Sequence, residues 1–443
     1  MTGERIMNPK TENRIKPAIY YGWIILFVAF ITLGVAFGVW YSFSVFIISI
    51  IREFGWTRAE ASSIFSLFIL SQALMGYGAG YLQDRMGPRI VVPLGAVFLA
   101  IALALTSRAQ NLWQFQLTYG ILAGCGISFL GFVSHSAFLP RWFERKRGLA
   151  LGIAMSGIGF GMLLVVPYVE RLIAAHGWRN AYLYLACFVL FFVGPINLVF
   201  NRREPAQVNQ YPDGDPPDAE FSGDHPKRGL RVVDPEWAAV DWNLKNAFKT
   251  RRFWILMAMF FSVSFANQSI LLHSVSAMVD SGIDSKAAAY FFGIAGISGS
   301  AGKILFGYLS DILGREKTKL IADVMAAIGI GALMAISIFK GPLPLLFGLF
   351  FGMGYGAVAP LIPAITADIF LGKDFGEIFA VIAFGGGIGG AVGAYATGLL
   401  RDLAGSYELA FITCIVLIFA SCLMVYLAAP GKVRKPVKEV QNP

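Results

Sequence analysis

Apolar residues run in long blocks along this chain, and polar residues gather between the blocks. Twelve blocks lie near 20–51, 58–82, 90–107, 112–139, 148–174, 179–200, 253–279, 287–310, 319–339, 343–370, 376–400 and 407–429. Each is long enough to cross a hydrocarbon core of ~30 Å as a helix. A helix satisfies its own backbone polar groups in lipid, whereas an open strand does not. The pattern therefore predicts an all-α membrane protein of 12 transmembrane helices. It divides the chain into an N-tail (1–19), a first bundle (20–201), a linker (202–252), a second bundle (253–429) and a C-tail (430–443).

Composition agrees. Of 443 residues, 56% are hydrophobic and 14% are charged, against roughly 25% charged in soluble domains. The net charge of +9 raises the question of nucleic acid, but its distribution answers it. With the N-tail inside, 27 of the 36 Lys and Arg fall on inner segments and 8 on outer loops. That bias puts both termini in the cytoplasm, with a minor attraction to anionic lipid. The basic balance is a topology signal for a multi-pass protein of the cell membrane, and no nucleic-acid partner is implied. The first block is too long for the apolar core of a signal peptide and lacks a small-residue cleavage site. Cys125, Cys187, Cys414 and Cys422 all lie in apolar blocks without metal or disulfide spacing, so they read as packing residues. No metal and no cofactor is expected.

The sequence repeats. Gly80-Tyr-Leu-Gln-Asp84-Arg-Met-Gly87 returns as Gly307-Tyr-Leu-Ser-Asp311-Ile-Leu-Gly314, 227 residues later. Gly124 and Gly126 return as Gly352 and Gly354, and Gly157, Gly159 and Gly161 as Gly385, Gly387 and Gly389, each 228 residues on. Three anchors at nearly one offset predict two six-helix halves in parallel repeat. Glycines at three- or four-residue spacing, as in Gly76/Gly80 and Gly385/Gly389, let helix backbones approach and slide. Between the halves, Glu204 to Pro235 is rich in Pro, Asp and Gly and reads as a flexible tether. Trp237, Val240, Leu244, Ala247 and Phe248 follow at helical spacing among Lys245, Lys249, Arg251 and Arg252. They predict an amphipathic helix lying at the membrane surface.

Lys303 is the one cation left over. It stands in an apolar run from Ala287 to Ser310. A lysine at mid-membrane depth costs roughly 2.5–3.5 kcal/mol on insertion scales. On a helix it shares a face with Gly296, Gly299, Ser300, Gly307 and Ser310, while Ile294, Ile297, Ala301, Ile304, Leu305 and Tyr308 point elsewhere. A small, polar face suits a protein interior, where an anion would offset the cost. The alternative is snorkelling toward the inner surface, ~12 Å of helical rise away. At the 227-residue offset the first half has Gly76 in this place, so the lysine is not part of the repeated scaffold.

Gly80-Tyr81-Leu82-Gln83-Asp84-Arg85-Met86-Gly87-Pro88-Arg89 resembles the signature loop of the major facilitator superfamily, G-x-L-x-D-R-x-G-R-R. The resemblance implies a conformational latch for Asp84, Arg85 and Arg89, and for Asp311 in the second copy, where Ile312 replaces the arginine. A carboxylate there faces the N-terminal dipole of a neighbouring helix; the alternative is ordinary surface charge. Arg141-Trp-Phe-Glu-Arg145-Lys146-Arg147-Gly148-Leu-Ala-Leu-Gly152 resembles the fifth-span entry motif of monocarboxylate transporters. Tyr20-Tyr-Gly22-Trp23, Phe54-Gly55-Trp56-Thr57-Arg58 and Tyr355-Gly356 with Pro360, Pro363 and Asp368 fit the same branch, which includes bacterial monocarboxylate and oxalate–formate carriers.

That resemblance implies a secondary transporter working by alternating access, moving a small monocarboxylate such as lactate or pyruvate with H⁺. It implies that Lys303 pairs with the substrate carboxylate, at a position where the family usually has Arg. Tyr41, Tyr119, Asn267, Gln268 and Tyr355 are further substrate-binding candidates. Tyr41 stands where animal members have a lysine, and Gly299 where they have an aspartate four residues before the cation. With that carboxylate missing, Lys303 itself becomes a proton-coupling candidate, because a bound anion favours the charged ammonium. His273 is a second candidate. Arg would serve less well as a proton carrier, since it stays protonated.

Two rivals remain. One is organic-anion exchange of the oxalate–formate type, which the single intramembrane cation disfavours. The other is a non-transporting membrane solute sensor, which the lack of a signalling domain disfavours. No phosphate loop, metal cluster or nucleophile elbow is present, so no enzyme is expected. The expected partners are an organic anion, a proton and the bilayer, and the expected state is a monomer.

Overall fold

Tyr21–Phe54 forms the first span as one unbroken helix, ended by Gly55 in the left-handed region (φ 68°). In the computed structural model, residues 20–143, 147–214, 230–339, 341–370 and 375–436 are described. Span two is Arg58–Met86 and opens with a capping box between Thr57 and Glu60. Span three is Pro88–Thr106. Span four is built in pieces: Leu112–Phe115, a wide π-helical stretch Gln116–Ala123, then Gly124–Leu130 and Phe132–Trp142. Spans five and six run through Arg147–Phe188, Val189–Val193 and Gly194–Phe200, and the chain turns between them at Gly177 (φ 78°). Spans seven to nine are Arg251–Asp280, Ser285–Leu313 and Arg315–Ala335. Span ten is Leu343–Gly356 with Val358–Phe370, span eleven Phe375–Ala404 and span twelve Glu408–Ala428.

Ten helical stretches of the described chain are long and apolar enough to cross a membrane. The twelve expected passes reduce to ten for two reasons. Residues 150–200 contain two passes in one helical run, and span four, which carries Gln114, Gln116, Thr118 and Tyr119, is not among the ten. The repeat extends to the breaks. Span four is interrupted at Gly131 and span ten at Ala357, and the 227-residue offset puts these within two residues of each other.

Within the halves, span one packs on span five, seven on eleven, and eight on ten. The halves meet where span eight packs on five and eleven on two. Glycine makes these approaches possible. A Cβ on Gly159 of span five would lie 2.2 Å from the Gly296 carbonyl of span eight, and one on Gly302 only 2.4 Å from the Met353 carbonyl of span ten. Backbones this close exclude any side chain at those points.

Two expectations are corrected. The segment after the tether is not one amphipathic helix but two single turns, Pro235–Ala238 and Leu244–Ala247. Its tryptophans bind protein rather than the membrane surface. Trp237 Nε1 donates to the Ile369 carbonyl at 2.8 Å, and Trp242 packs edge-on against Phe370. Residues Leu230–Val232 pair antiparallel with Arg434–Pro436 of the C-tail, so linker and tail cover the same end of the second bundle. The other correction concerns Lys319, counted in the sequence among the cations of the inner segments. It is 1% exposed as a side chain and sits inside the second bundle, bonded to Asp323 at 2.5 Å and to Ser421 at 2.8 Å.

Candidate substrate site between the halves

Lys303 emerges from span eight on the face that the sequence predicts. Gly296, Gly299, Ser300 and Ser310 are buried around it, while Ile304 is 66% exposed toward the lipid side. Lys303 is half-buried. Among the described residues no carboxylate pairs with it and no hydrogen bond reaches it. Lys319, by contrast, has its own acid. Lys303 is thus an intramembrane cation without a counter-ion among the described residues.

One turn away, Tyr355 of span ten lies against the helix. Its ring atoms approach to 3.5 Å of where a Gly299 Cβ would be, so the Gly299 that replaces the family's aspartate leaves room for that ring. Tyr355 stacks on Phe351, ring centroids 6.0 Å apart. Its hydroxyl meets the hydroxyl of Tyr41 at 2.7 Å. Tyr41 belongs to span one, so this bond joins the two halves. Tyr41 is held by Phe292 of span eight, edge-on with centroids 6.3 Å apart, and by its neighbours Phe37 and Trp40.

The other candidates divide. Asn267 is buried on span seven. Gln268, beside it, rests against Gly390 of span eleven, and its Oε1 is buried with no partner. Tyr119 stands apart from the group. It is fully buried, stacked on Phe43 and Phe68, with its hydroxyl 3.4 Å from the Val39 and Trp40 carbonyls of span one. His273 also stands apart, toward the end of the bundle opposite the termini. Its Nε2 is 3.0 Å from the Ala394 carbonyl and 3.3 Å from Ser62 Oγ, and its Nδ1 is 3.4 Å from the Tyr407 hydroxyl. Both of its nitrogens serve contacts among spans two, seven, eleven and twelve.

At that far end the halves are tied by charge. Asp402 of span eleven accepts from the backbone N–H groups of Arg58 and Ala59, at 3.0 and 2.8 Å, and so covers the N-terminus of span two. Asp280 of span seven receives Arg58 at 3.0 Å and Arg401 at 3.4 Å. From there the contacts between spans two and eleven continue inward through Ser66, which donates to the Ala391 carbonyl at 2.7 Å, to Ala73 beside Gly387. Those between spans five and eight run from Arg171 and Tyr290 to Ser300, which donates to the Ser156 carbonyl at 3.2 Å. Lys303 lies one turn beyond Ser300, toward the end that carries the termini.

The expected latch residues also divide. The side chain of Asp84 lies outside the described residues. Arg85 stacks over Tyr81, 4.5 Å from its centroid, and Arg89 donates to the Leu198 carbonyl at 2.9 Å. Asp311 joins a network that the sequence reading missed. Arg315 bridges Asp311 at 2.8 Å and the buried Asp368 of span ten at 2.9 Å, and reaches Ser310 at 2.6 Å. Arg315 supplies, three positions on, the cation absent at Ile312.

Two six-helix halves around a shared interior, with polar side chains turned inward, define a membrane carrier fold. The sequence profile of the Major Facilitator Superfamily matches residues 28–362 and 341–443, and the chain belongs to that superfamily. It is a multi-pass membrane transporter. It is similar to monocarboxylate transporter 13 of Bos taurus, at 26% identity over 88% of this chain and 85% of that one. It is also similar to the oxalate:formate antiporter of Oxalobacter formigenes, at 26% identity over 84% of each chain. Among solved structures, an inward-facing, occupied bacterial homologue of the human lysosomal transporter Spinster superposes with a TM-score of 0.68. That match has 15% identity and covers 93% of this chain and 98% of the other.

Proposed function

We propose that this transporter carries a small monocarboxylate, lactate- or pyruvate-like, across the cell membrane together with H⁺. The observation that carries the reading is Lys303, a half-buried cation with no counter-ion among the described residues. A bound carboxylate would supply the missing charge, and the Tyr41–Tyr355 hydroxyls, Asn267 and Gln268 would orient it. Tyr119 contributes by shaping span one behind Tyr41. Lys303 takes up a proton with the anion and releases both on the other side, which makes the cycle electroneutral. His273 is the second proton-coupling candidate, acting at the far-end closure rather than on the substrate.

Both termini, the linker and the tail lie in the cytoplasm in this reading, and the carrier works as a monomer. The far-end network of Arg58, Asp280, Arg401 and Asp402 then closes the outside, and the conformation is inward-facing. Asp84, Arg85, Arg89 and Asp311 act as the inner latch in the opposite state.

Exchange of organic anions is the second reading, supported by the likeness to the oxalate:formate antiporter. Proteoliposomes separate the two. Uptake of labelled lactate, pyruvate, acetate and oxalate is measured with an imposed pH gradient and, separately, with an imposed membrane potential. Symport predicts lactate or pyruvate uptake driven by the pH gradient and indifferent to the potential. Uptake that requires a trans anion and responds to the potential would replace symport with exchange. Failure to move any carboxylate that the protein binds would revive the sensor.

A further inference from the structure

A carrier must let a substrate seated on one half change the position of the other. Lys303 and Tyr355 both belong to the second half. A bond between the Tyr355 and Tyr41 hydroxyls, at 2.7 Å, links Tyr355 to the first half.

Two hydroxyls carry two protons, and their mutual bond uses one of them. The structure indicates where the other one goes. Tyr41 is 3% exposed, and the rings of Phe37, Trp40 and Phe292 surround it. Among the described residues its hydroxyl has no acceptor other than Tyr355. Tyr355 is half-buried, and its ring lies against Gly299, one turn from Lys303. The favoured arrangement has Tyr41 donating to Tyr355, which leaves the Tyr355 proton outside their mutual bond and available to a ligand. Hydrogen bonds in such a chain polarise and strengthen one another. A donor to an anion is also roughly twice as strong as a neutral one.

We propose that Tyr41 and Tyr355 form a directional relay, Tyr41 O–H to Tyr355 O–H to the anion on Lys303, through which the first half senses the substrate. Tyr355 binds the carboxylate. Tyr41 touches no substrate atom; it positions the Tyr355 hydroxyl and couples the halves. The inference rests on the reading of Lys303 as the anion site. It assigns the two tyrosines different tasks, although both read as substrate-binding in the sequence.

The test uses the full-length protein and L-lactate as the probe. Equilibrium binding is measured by calorimetry and turnover in proteoliposomes, for the wild type and for Tyr355→Phe, Tyr41→Phe, the double variant and Lys303→Ala. Thermal stability checks that each variant is folded; loss of one hydroxyl from a ring left in place is a small change. Tyr355→Phe is expected to weaken binding about tenfold or more, as loss of a bond to a charged group does. Tyr41→Phe is expected to hold affinity within about threefold while turnover at saturating lactate falls about tenfold or more. The double variant is expected to bind no worse than Tyr355→Phe alone, since the first bond acts through the second. Wild-type turnover in Tyr41→Phe, or an affinity loss equal to that of Tyr355→Phe, would overturn the relay. Wild-type binding in Lys303→Ala would overturn the anion site beneath it. Loss of binding in Lys303→Ala beside wild-type behaviour in Tyr41→Phe would overturn the relay alone.

Discussion

Replacing Lys319 with Met strips one partner from an ion pair sealed inside the second bundle. The side chains of Lys319 and Asp323 are 1% and 5% exposed, and Nζ lies 2.5 Å from one carboxylate oxygen and 2.6 Å from the other. Ser421 of span twelve is the further neighbour, at 2.8 Å. A stranded buried charge costs about 3–5 kcal/mol. Lys319→Met and Asp323→Leu should therefore each destabilise by about 3–5 kcal/mol, and the double variant by much less, since replacing both partners with apolar groups is close to neutral. Unfolding in mixed micelles, followed by circular dichroism, measures all three variants. A double variant as unstable as either single would refute the ion-pair argument. So would singles as stable as the wild type.

Other outcomes follow from the packing and the far-end network. Asp402→Asn keeps an acceptor at the N-terminus of span two but removes its charge. The closed form should lose about 1–2 kcal/mol, a shift of about 5–30-fold in its population. With the 4 native cysteines replaced, a membrane-impermeant thiol reagent applied from the far side should label Ser66→Cys faster in the Asp402→Asn background than without it. Gly302→Ala would press a methyl to 2.4 Å from the Met353 backbone carbonyl, a cost of about 1–3 kcal/mol in stability. Gly331→Ala, with nothing within 4 Å of the added methyl, should melt as wild type or slightly higher.

The fold was largely legible because a bilayer imposes long apolar blocks, and because the repeat at 227–228 residues duplicates even the break between Gly131 and Ala357. The face of Lys303 was legible for the same reason: in a regular helix, spacing alone decides which residues surround it. Lys319 was misplaced because it sits at the edge of an apolar block, where a cation ordinarily meets water. The signal that would have corrected it is Asp323, four residues on, since an acid and a base at that spacing share a helix face. The linker misled because tryptophans at helical spacing serve a membrane surface and a protein groove equally well. In the structure Trp237 caps a carbonyl 132 residues away. The far-end network and the Tyr41–Tyr355 bond were not readable at all. Their partners are 222, 344 and 314 residues apart, and a single sequence holds no periodicity over such distances.

Everything proposed for transport converges on whether Lys303 holds a carboxylate. Calorimetry of L-lactate with purified wild type, Lys303→Ala and Lys303→Arg measures this. Truncating one partner of a buried charge pair costs about 2–5 kcal/mol, so Lys303→Ala should bind about 30-fold more weakly or lose detectable binding. Lys303→Arg should retain binding, because its cation persists. An alanine variant that binds lactate within about threefold of wild type would contradict the account.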